Sequence, residues 1–310
     1  MSQPFPLNCN QPLSVTKKDS PDNINPIERC KLLQERKIGP LQLDERSCKP
    51  SNRLYLAANT SAMRLIVVLF FFLLSGTLTA QIDTLNTRTN KLLYPLLNGG
   101  SATYAVYFED SLGRRISSAD LWDRRVKLST NVSGQREYRF EWTVWRKDSL
   151  QASIISTGLA ANAQPISHQA EYLRRGSFSF QFIDGVVTVP GSAQKNAKDS
   201  ALRVVVDPPA FAFPMDLEIL PLVPMKKVGQ QFAIAFYEPG SAKSNYYLLT
   251  VTGKEALALA AGHNAPCWLL RLDYGRGTYA TFWISEKKRE VLKMREFIPG
   301  GRFRYKVKLF

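Results

Sequence analysis

Apolar and polar residues alternate in short runs along most of the chain, with glycine, proline, asparagine and aspartate between the runs. Ala102, Tyr104, Val106 and Phe108 alternate along one stretch, and Tyr138, Phe140, Trp142 and Val144 alternate with Arg139, Glu141, Thr143 and Trp145 along another. A period of two puts alternate side chains on opposite faces of a strand. The same reading makes strands of 126–132, 150–157, 166–173, 177–182, 186–189, 201–206, 230–237 and 246–253. Leu112-Gly113, Ser133-Gly134, Asp184-Gly185 and Glu238-Pro239-Gly240 mark turns. One short helix is expected at 117–125, capped by Ser117 or Ser118 with Asp120 in its first turn. Residues 190–200 read as a polar loop. Residues 208–224 are apolar but too rich in proline for a regular helix, and are expected to cross over and cover the sheet. The pattern therefore predicts an all-β, mainly antiparallel fold: a curved sheet, half-barrel or sandwich with one or two short helices.

The last 44 residues allow a register to be written. With a three-residue loop at Gly275-Arg276-Gly277, Tyr274 faces Thr278, Leu272 faces Ala280, Leu270 faces Phe282 and Trp268 faces Ile284. A five-residue loop at 285–289 places Leu292 beside Phe282 and Met294 beside Ala280. A four-residue loop at 298–301 places Tyr305 beside Met294 and Val307 beside Leu292. This register makes one apolar face, with Trp268, Leu270, Phe282, Met294 and Tyr305 as candidates to line an apolar ligand cavity. The opposite face then carries Lys293, Arg295, Arg304, Lys306 and Lys308, with Arg295 directly opposite Arg304. Like charges facing one another across a strand pair destabilise it, so this face is a candidate docking surface for anions.

The beginning of the chain reads differently. Residues 1–62 hold three of the four cysteines, several prolines and no sustained period. Met63 and Arg64 then open an apolar run from Leu65 to Leu74, followed by the small and polar exit Ser75-Gly76-Thr77-Leu78-Thr79-Ala80. That is the layout of a secretory signal peptide, with cleavage expected after Ala80. The run is short of the roughly 20 residues that span a bilayer. Met63 is the expected initiator, 1–62 a non-native or disordered leader, 63–80 the signal peptide helix and 81–310 a single exported β-domain. With no cysteine directly following the apolar run, a lipoprotein anchor is not expected, and neither is a membrane span after cleavage.

Charge and chemistry narrow the function. The chain of 310 residues has a formal net charge of +15. The first 62 residues carry nine Lys+Arg and six Asp+Glu, and Arg64 adds one more cation. Of 41 basic and 26 acidic residues, 31 and 20 remain after residue 80, a net +11. A basic exported domain suits anionic envelope lipid or glycan better than nucleic acid. No catalytic or cofactor motif is present, and no cofactor is expected. The two histidines, His168 and His263, are too few for a His-rich metal site. Cys267, the one cysteine after residue 80, is expected as a buried thiol beside Trp268, with a Cys267–His263 dyad as the alternative.

Several stretches together resemble a known family. They are Glu218-Ile219-Leu220-Pro221-Leu222, Gly229-Gln230-Gln231-Phe232, Tyr247 to Glu255, Cys267-Trp268, Thr281-Phe282-Trp283-Ile284-Ser285, Glu290-Val291-Leu292-Lys293 and Pro299-Gly300-Gly301. Residues 165–310 resemble the exported bacterial proteins grouped as domain of unknown function 3108, and the exit Thr79-Ala80-Gln81 resembles those of Bacteroidetes. The resemblance implies a β-rich exported domain and brings no activity with it. The expected function is a non-catalytic envelope protein that binds or scaffolds, with an apolar or lipid-like ligand inside a curved sheet. The alternative is an enzyme acting on envelope glycan or lipid, which as a glycosidase needs two facing carboxylates.

Overall fold

A computed structural model describes residues 82–89, 91–259 and 262–309. The leader and signal-peptide readings lie outside the described residues, as does the proposed cleavage point.

The strands are β1 (Asp83–Leu85), β2 (Gly100–Glu109), β3 (Asp120–Thr130), β4 (Arg136–Arg146), β5 (Ser149–Leu159), β6 (Pro165–Tyr172), β7 (Gly176–Ile183) and β8 (Val186–Thr188). They continue as β9 (Val204–Val205), β10 (Phe211–Ala212), β11 (Gln231–Tyr237), β12 (Asn245–Ala258), β13 (Asn264–Gly275), β14 (Thr278–Ser285), β15 (Val291–Ile298) and β16 (Arg302–Lys308). All belong to one sheet in the order β1-β11-β12-β13-β14-β15-β16-β2-β3-β4-β5-β6-β7-β8-β9, with β10 beside β11. Only the contacts of β11 with β1 and β10 are parallel. Two antiparallel meanders, 100–205 and 231–308, are joined where β16 pairs with β2.

The sheet is unclosed in hydrogen bonds but curls until its ends meet through side chains. Phe180, Val187, Val206, Ala210, Ala235 and Tyr237 form one buried group between β7–β8 and β11. The rings of Phe182 and Tyr237 meet edge to face at 5.7 Å. The concave side is filled by the crossing segment. Phe211, Met215, Leu217, Ile219, Leu220, Leu222 and Val223 are all essentially inaccessible and pack against Phe232, Leu249, Leu270 and Phe282. Prolines 214 and 221 break this segment into 3-10 turns around one helical turn, Asp216–Ile219. Burying each of the large apolar side chains contributes about 1.5–3 kcal/mol.

The helix expected at 117–125 is a strand instead. Trp122, Arg124 and Val126 point to the concave side while Leu121, Asp123 and Arg125 are exposed. Pairing on both edges, Tyr104 with Trp122 on β2 and Trp122 with Val144 on β4, outweighs the local capping signal. Residues 190–200 hold a 3-10 turn and a five-residue helix capped by the Asn196 side chain, where a loop is expected.

The hairpin registers hold in part. Trp268–Ile284, Leu270–Phe282 and Leu272–Ala280 are paired as expected. At the turn, Gly275 rather than Tyr274 faces Thr278, because Arg276 and Gly277 form a two-residue loop with both φ values positive, leaving Tyr274 as a bulge. Between β14 and β15, Leu292 is the bulged residue. Val291 faces Ile284, and Met294 faces Phe282 rather than Ala280. Leu292 therefore turns outward against Cys267 and Trp283, whereas the expected register places it on the apolar face beside Phe282.

The last turn changes most. Ile298 pairs with Arg302, so the loop is Pro299-Gly300-Gly301, three residues instead of four. A one-residue shift exchanges the faces of a whole strand. Arg295 lies opposite Tyr305, not Arg304, and Arg304 lies opposite Glu296. The like-charge pair does not exist in this register. Gly300 and Gly301 both have left-handed φ, 94° and 74°, which lets the shorter loop close without strain.

Candidate functional site

The corrected register splits the expected cationic set. Lys293 and Arg295 face outward, whereas Arg304, Lys306 and Lys308 face the concave side. The expected apolar set splits too. Trp268, Leu270, Phe282 and Met294 are in the main core under the crossing segment, and Tyr305 is on the outer face.

On the concave side the charges are paired. Glu218, on the crossing segment, is ion-paired with Arg124 of β3; its side chain is fully buried and that of Arg124 is 15% exposed. Arg304 pairs with Glu296, and Lys308 with Glu290. Lys306 is buried, with its Nζ 4.8 Å from the centre of the Trp122 ring and 5.9 Å from that of Trp142. Burial lowers the Lys306 pKa, an effect opposed by the Asp216 carboxylate. Burial pushes the Tyr104 phenol up to about 12, partly offset by Arg124, and its hydroxyl donates to the Val291 carbonyl at 2.9 Å. Burial, with the Asp216 charge as a second cause, pushes the Glu238 carboxyl at the end of β11 up to about 7.

The outer face of β13–β16 and β2 is built differently. Three cross-strand rows run over it. The first is Arg271, Thr281, Arg295, Tyr305 and Tyr107. The second is Asp273, Tyr279, Phe297, Phe303 and Glu109. The third is Leu269, Trp283, Lys293, Val307 and Ala105. Rings stack along the rows: Tyr107 on Tyr305 at 5.2 Å, Tyr279 on Phe297 at 5.6 Å, and Phe297 against Phe303 at 5.4 Å. Cations lie over the rings. Arg271 is 3.8 Å from the Tyr279 centroid, Arg295 3.8 Å from Phe303, Lys293 4.7 Å from Trp283 and Arg115 4.3 Å from Tyr107. Such contacts contribute about 0.5–1 kcal/mol each at exposed sites. Among the described residues, the ion pairs found do not include Arg271, Lys293, Arg295 or Arg115. This face thus presents aromatic rings overlain by cations, with the Asp273 and Glu109 carboxylates in the row beside them.

The nucleophile candidates are buried. Cys267 is inaccessible, its thiol donates to the Ala265 carbonyl of its own strand, and burial pushes its pKa up to about 11. A thiol held protonated in this way is unsuited to nucleophilic attack. His168 is buried, its Nδ1 is 2.9 Å from the Ser156 hydroxyl, and desolvation lowers its pKa to about 4. Sequence reasoning missed the buried Arg124–Glu218 pair and the Asp216 carboxylate whose field acts on Lys306. Only the packing of the crossing segment into the sheet brings them together.

No family model matches the chain, and no curated protein matches it. Among solved structures, a β-barrel-like protein of domain of unknown function DUF1849 from Brucella abortus is similar with TM-score 0.42 and 9% identity, over 69% of this chain and 96% of that one. The MucA/MucB complex of Pseudomonas aeruginosa is similar with TM-score 0.30 and 11% identity, over 71% of this chain and 53% of that one. Likeness at this level carries no functional argument. The fold itself defines the class: a curled, unclosed, mostly antiparallel β-domain with its concave side filled by its own chain. No helix among the described residues is long and apolar enough to cross a membrane.

Proposed function

We propose that this is an exported, non-catalytic binding domain whose outer face docks an anionic glycan. The reading is supported by the cation–aromatic rows of β13–β16, where Arg271, Lys293 and Arg295 cover rings and lie outside any carboxylate pair. The carboxylates of an acidic sugar polymer accept from arginine and lysine. A flat sheet face, rather than a protruding apolar loop, favours an extended polymer over a bilayer as the ligand. Export rests on the 63–80 pattern, and membership of the domain of unknown function 3108 group is part of the same reading. The concave side argues against a large lipid pocket, since residues 211–223 occupy it.

The test is binding to polygalacturonate, to a neutral glucan and to phosphatidylglycerol vesicles, at low and moderate salt. The expected result is saturable polygalacturonate binding that weakens with salt and falls at least tenfold in Lys293→Gln/Arg295→Gln. Binding to vesicles without binding to the polyuronide, or an unaffected double variant, overturns the glycan reading.

A further inference from the structure

The neighbouring strands β12 and β13 part before either of them ends. Their pairing stops at Leu248 opposite Asp273. Beyond that pair, residues 245–247 stay on β11, while Gly275 stays on Thr278 of β14 and Tyr274 is the bulge already described. The gap between the two strands is a cleft of about 500 Å³, within the roughly 300–1,000 Å³ of small-ligand pockets. Tyr246 and Tyr247 form one bank and Tyr274 the other, with Leu248 and Asp273 where the pairing stops. Unlike the charge pairs inside the sheet, the cleft is open to solvent: Tyr246 is 44% exposed and Leu248 38%.

The charge of this cleft is opposite to that of the basic domain around it. Among the described residues, Asp273 is the one charged side chain of the lining. One of its carboxylate oxygens accepts from the Gly275 N–H at 2.7 Å, and the ion pairs found do not include it. The rings continue inward as one cluster: Phe213 lies 6.0 Å from Tyr247 and 5.9 Å from Tyr274, and Tyr247 lies 6.3 Å from Tyr274. The Tyr246 hydroxyl accepts from the Asn86 side chain at 3.0 Å, which fixes the outermost ring. Burial raises the phenols of Tyr247 and Tyr274. Carboxylates raise them further, Glu238 at Tyr247, and Glu296 and Asp216 at Tyr274, where Arg304 partly opposes them. A field that disfavours a phenolate favours a cation, and the faces of neutral phenol rings attract one through their quadrupole.

We infer that this cleft binds a small organic cation of the alkylammonium class, its head against the Tyr246, Tyr247 and Tyr274 rings and Asp273 as its counter-charge. A methylated nitrogen fits this lining better than a metal ion does. A hard cation such as calcium takes about six or more oxygen ligands, and the lining offers one carboxylate. The inference stands on residues that the anion-docking reading does not use, so either can fail alone.

The experiment is calorimetric titration of the folded protein with choline and with dimethylbutanol, its uncharged carbon isostere, and then with choline in the presence of calcium. Choline is expected to bind saturably and about tenfold more tightly than the isostere, and calcium is expected not to displace it. Tyr246→Leu, at an exposed position, is expected to weaken choline roughly tenfold, while Tyr246→Phe keeps the ring and binds like the parent. Asp273→Asn keeps an acceptor for the Gly275 N–H but removes the charge, and is expected to weaken choline about fivefold while leaving the isostere unchanged. Lys293→Gln/Arg295→Gln is expected to bind choline like the parent. The isostere binding as tightly as choline, displacement by calcium, no saturable choline binding, or unaffected Tyr246→Leu and Asp273→Asn variants each overturns the proposal.

Discussion

The two faces of β15 and β16 use the same residue types to opposite ends. Inside, Arg304 and Lys308 each meet a carboxylate, and Lys306 lies beside two tryptophan rings within the field of Asp216. Outside, Lys293 and Arg295 lie over aromatic rings and remain open to solvent anions. The difference follows from dielectric. A buried charge needs a counter-charge because desolvation costs several kcal/mol. A surface charge is hydrated and can rest on a ring at little cost. Inner cations therefore act as structure, and the outer ones are those on which the proposed docking rests.

The sharpest break of this comparison is at the buried pair. Glu218→Ala removes the ion-pair partner of Arg124 inside the sheet, leaving only the fields of Asp216 and Glu290, and is expected to cost about 3–5 kcal/mol in chemical denaturation. A loss below about 1 kcal/mol would show that water reaches the pair. Next is Arg304→Ala, which strands Glu296; about 2–3 kcal/mol is expected by the same measurement, because this pair is slightly more exposed.

A pH series sharpens the inner side. The folded pKa of Glu238 is about 7, raised above its unfolded value. The folded protein therefore binds more protons than the unfolded chain between pH 4.5 and about 7, and stability falls as pH rises through that window. Against the parent, Glu238→Gln is expected to flatten this dependence, by on the order of 1–3 kcal/mol across the window. Parallel curves for the two proteins would reject the assignment.

The smallest effect belongs to the outer face. Arg295→Ala is expected to change stability by no more than about 1 kcal/mol, while the anion binding described above collapses. A loss comparable to that of Arg304→Ala would mean that the outer cations are structural as well.

Much of the fold was legible from alternation alone. The period-two runs located the long strands of both meanders, and the prolines at 208, 209, 214, 221 and 224 announced a crossing segment without a regular long helix. Trp268, Leu270 and Phe282 found their partners because their pairs lie well inside the hairpin, where a change at the turn is absorbed by the Tyr274 bulge. The helix expected at 117–125 was not legible as a strand, since its capping serines are local signals while its two partner strands are distant.

What the sequence by itself determined is the class of structure: which residues alternate, where the turns fall, and that the domain is basic with a mostly apolar strand side. What only the tertiary structure decided is which face each residue of β16 occupies. One residue fewer in the loop at Pro299-Gly300-Gly301 turns Lys306 inward and Tyr305 outward. A strand reads its face from parity, and parity depends on a loop length that alternation cannot count. Arg304 and Lys308 meet Glu296 and Glu290 on or beside the neighbouring strand β15, but Asp216, whose field reaches Lys306, and Glu218, which pairs with Arg124, come from a segment far away in sequence. Those last two contacts exist only once that segment is packed inside the sheet.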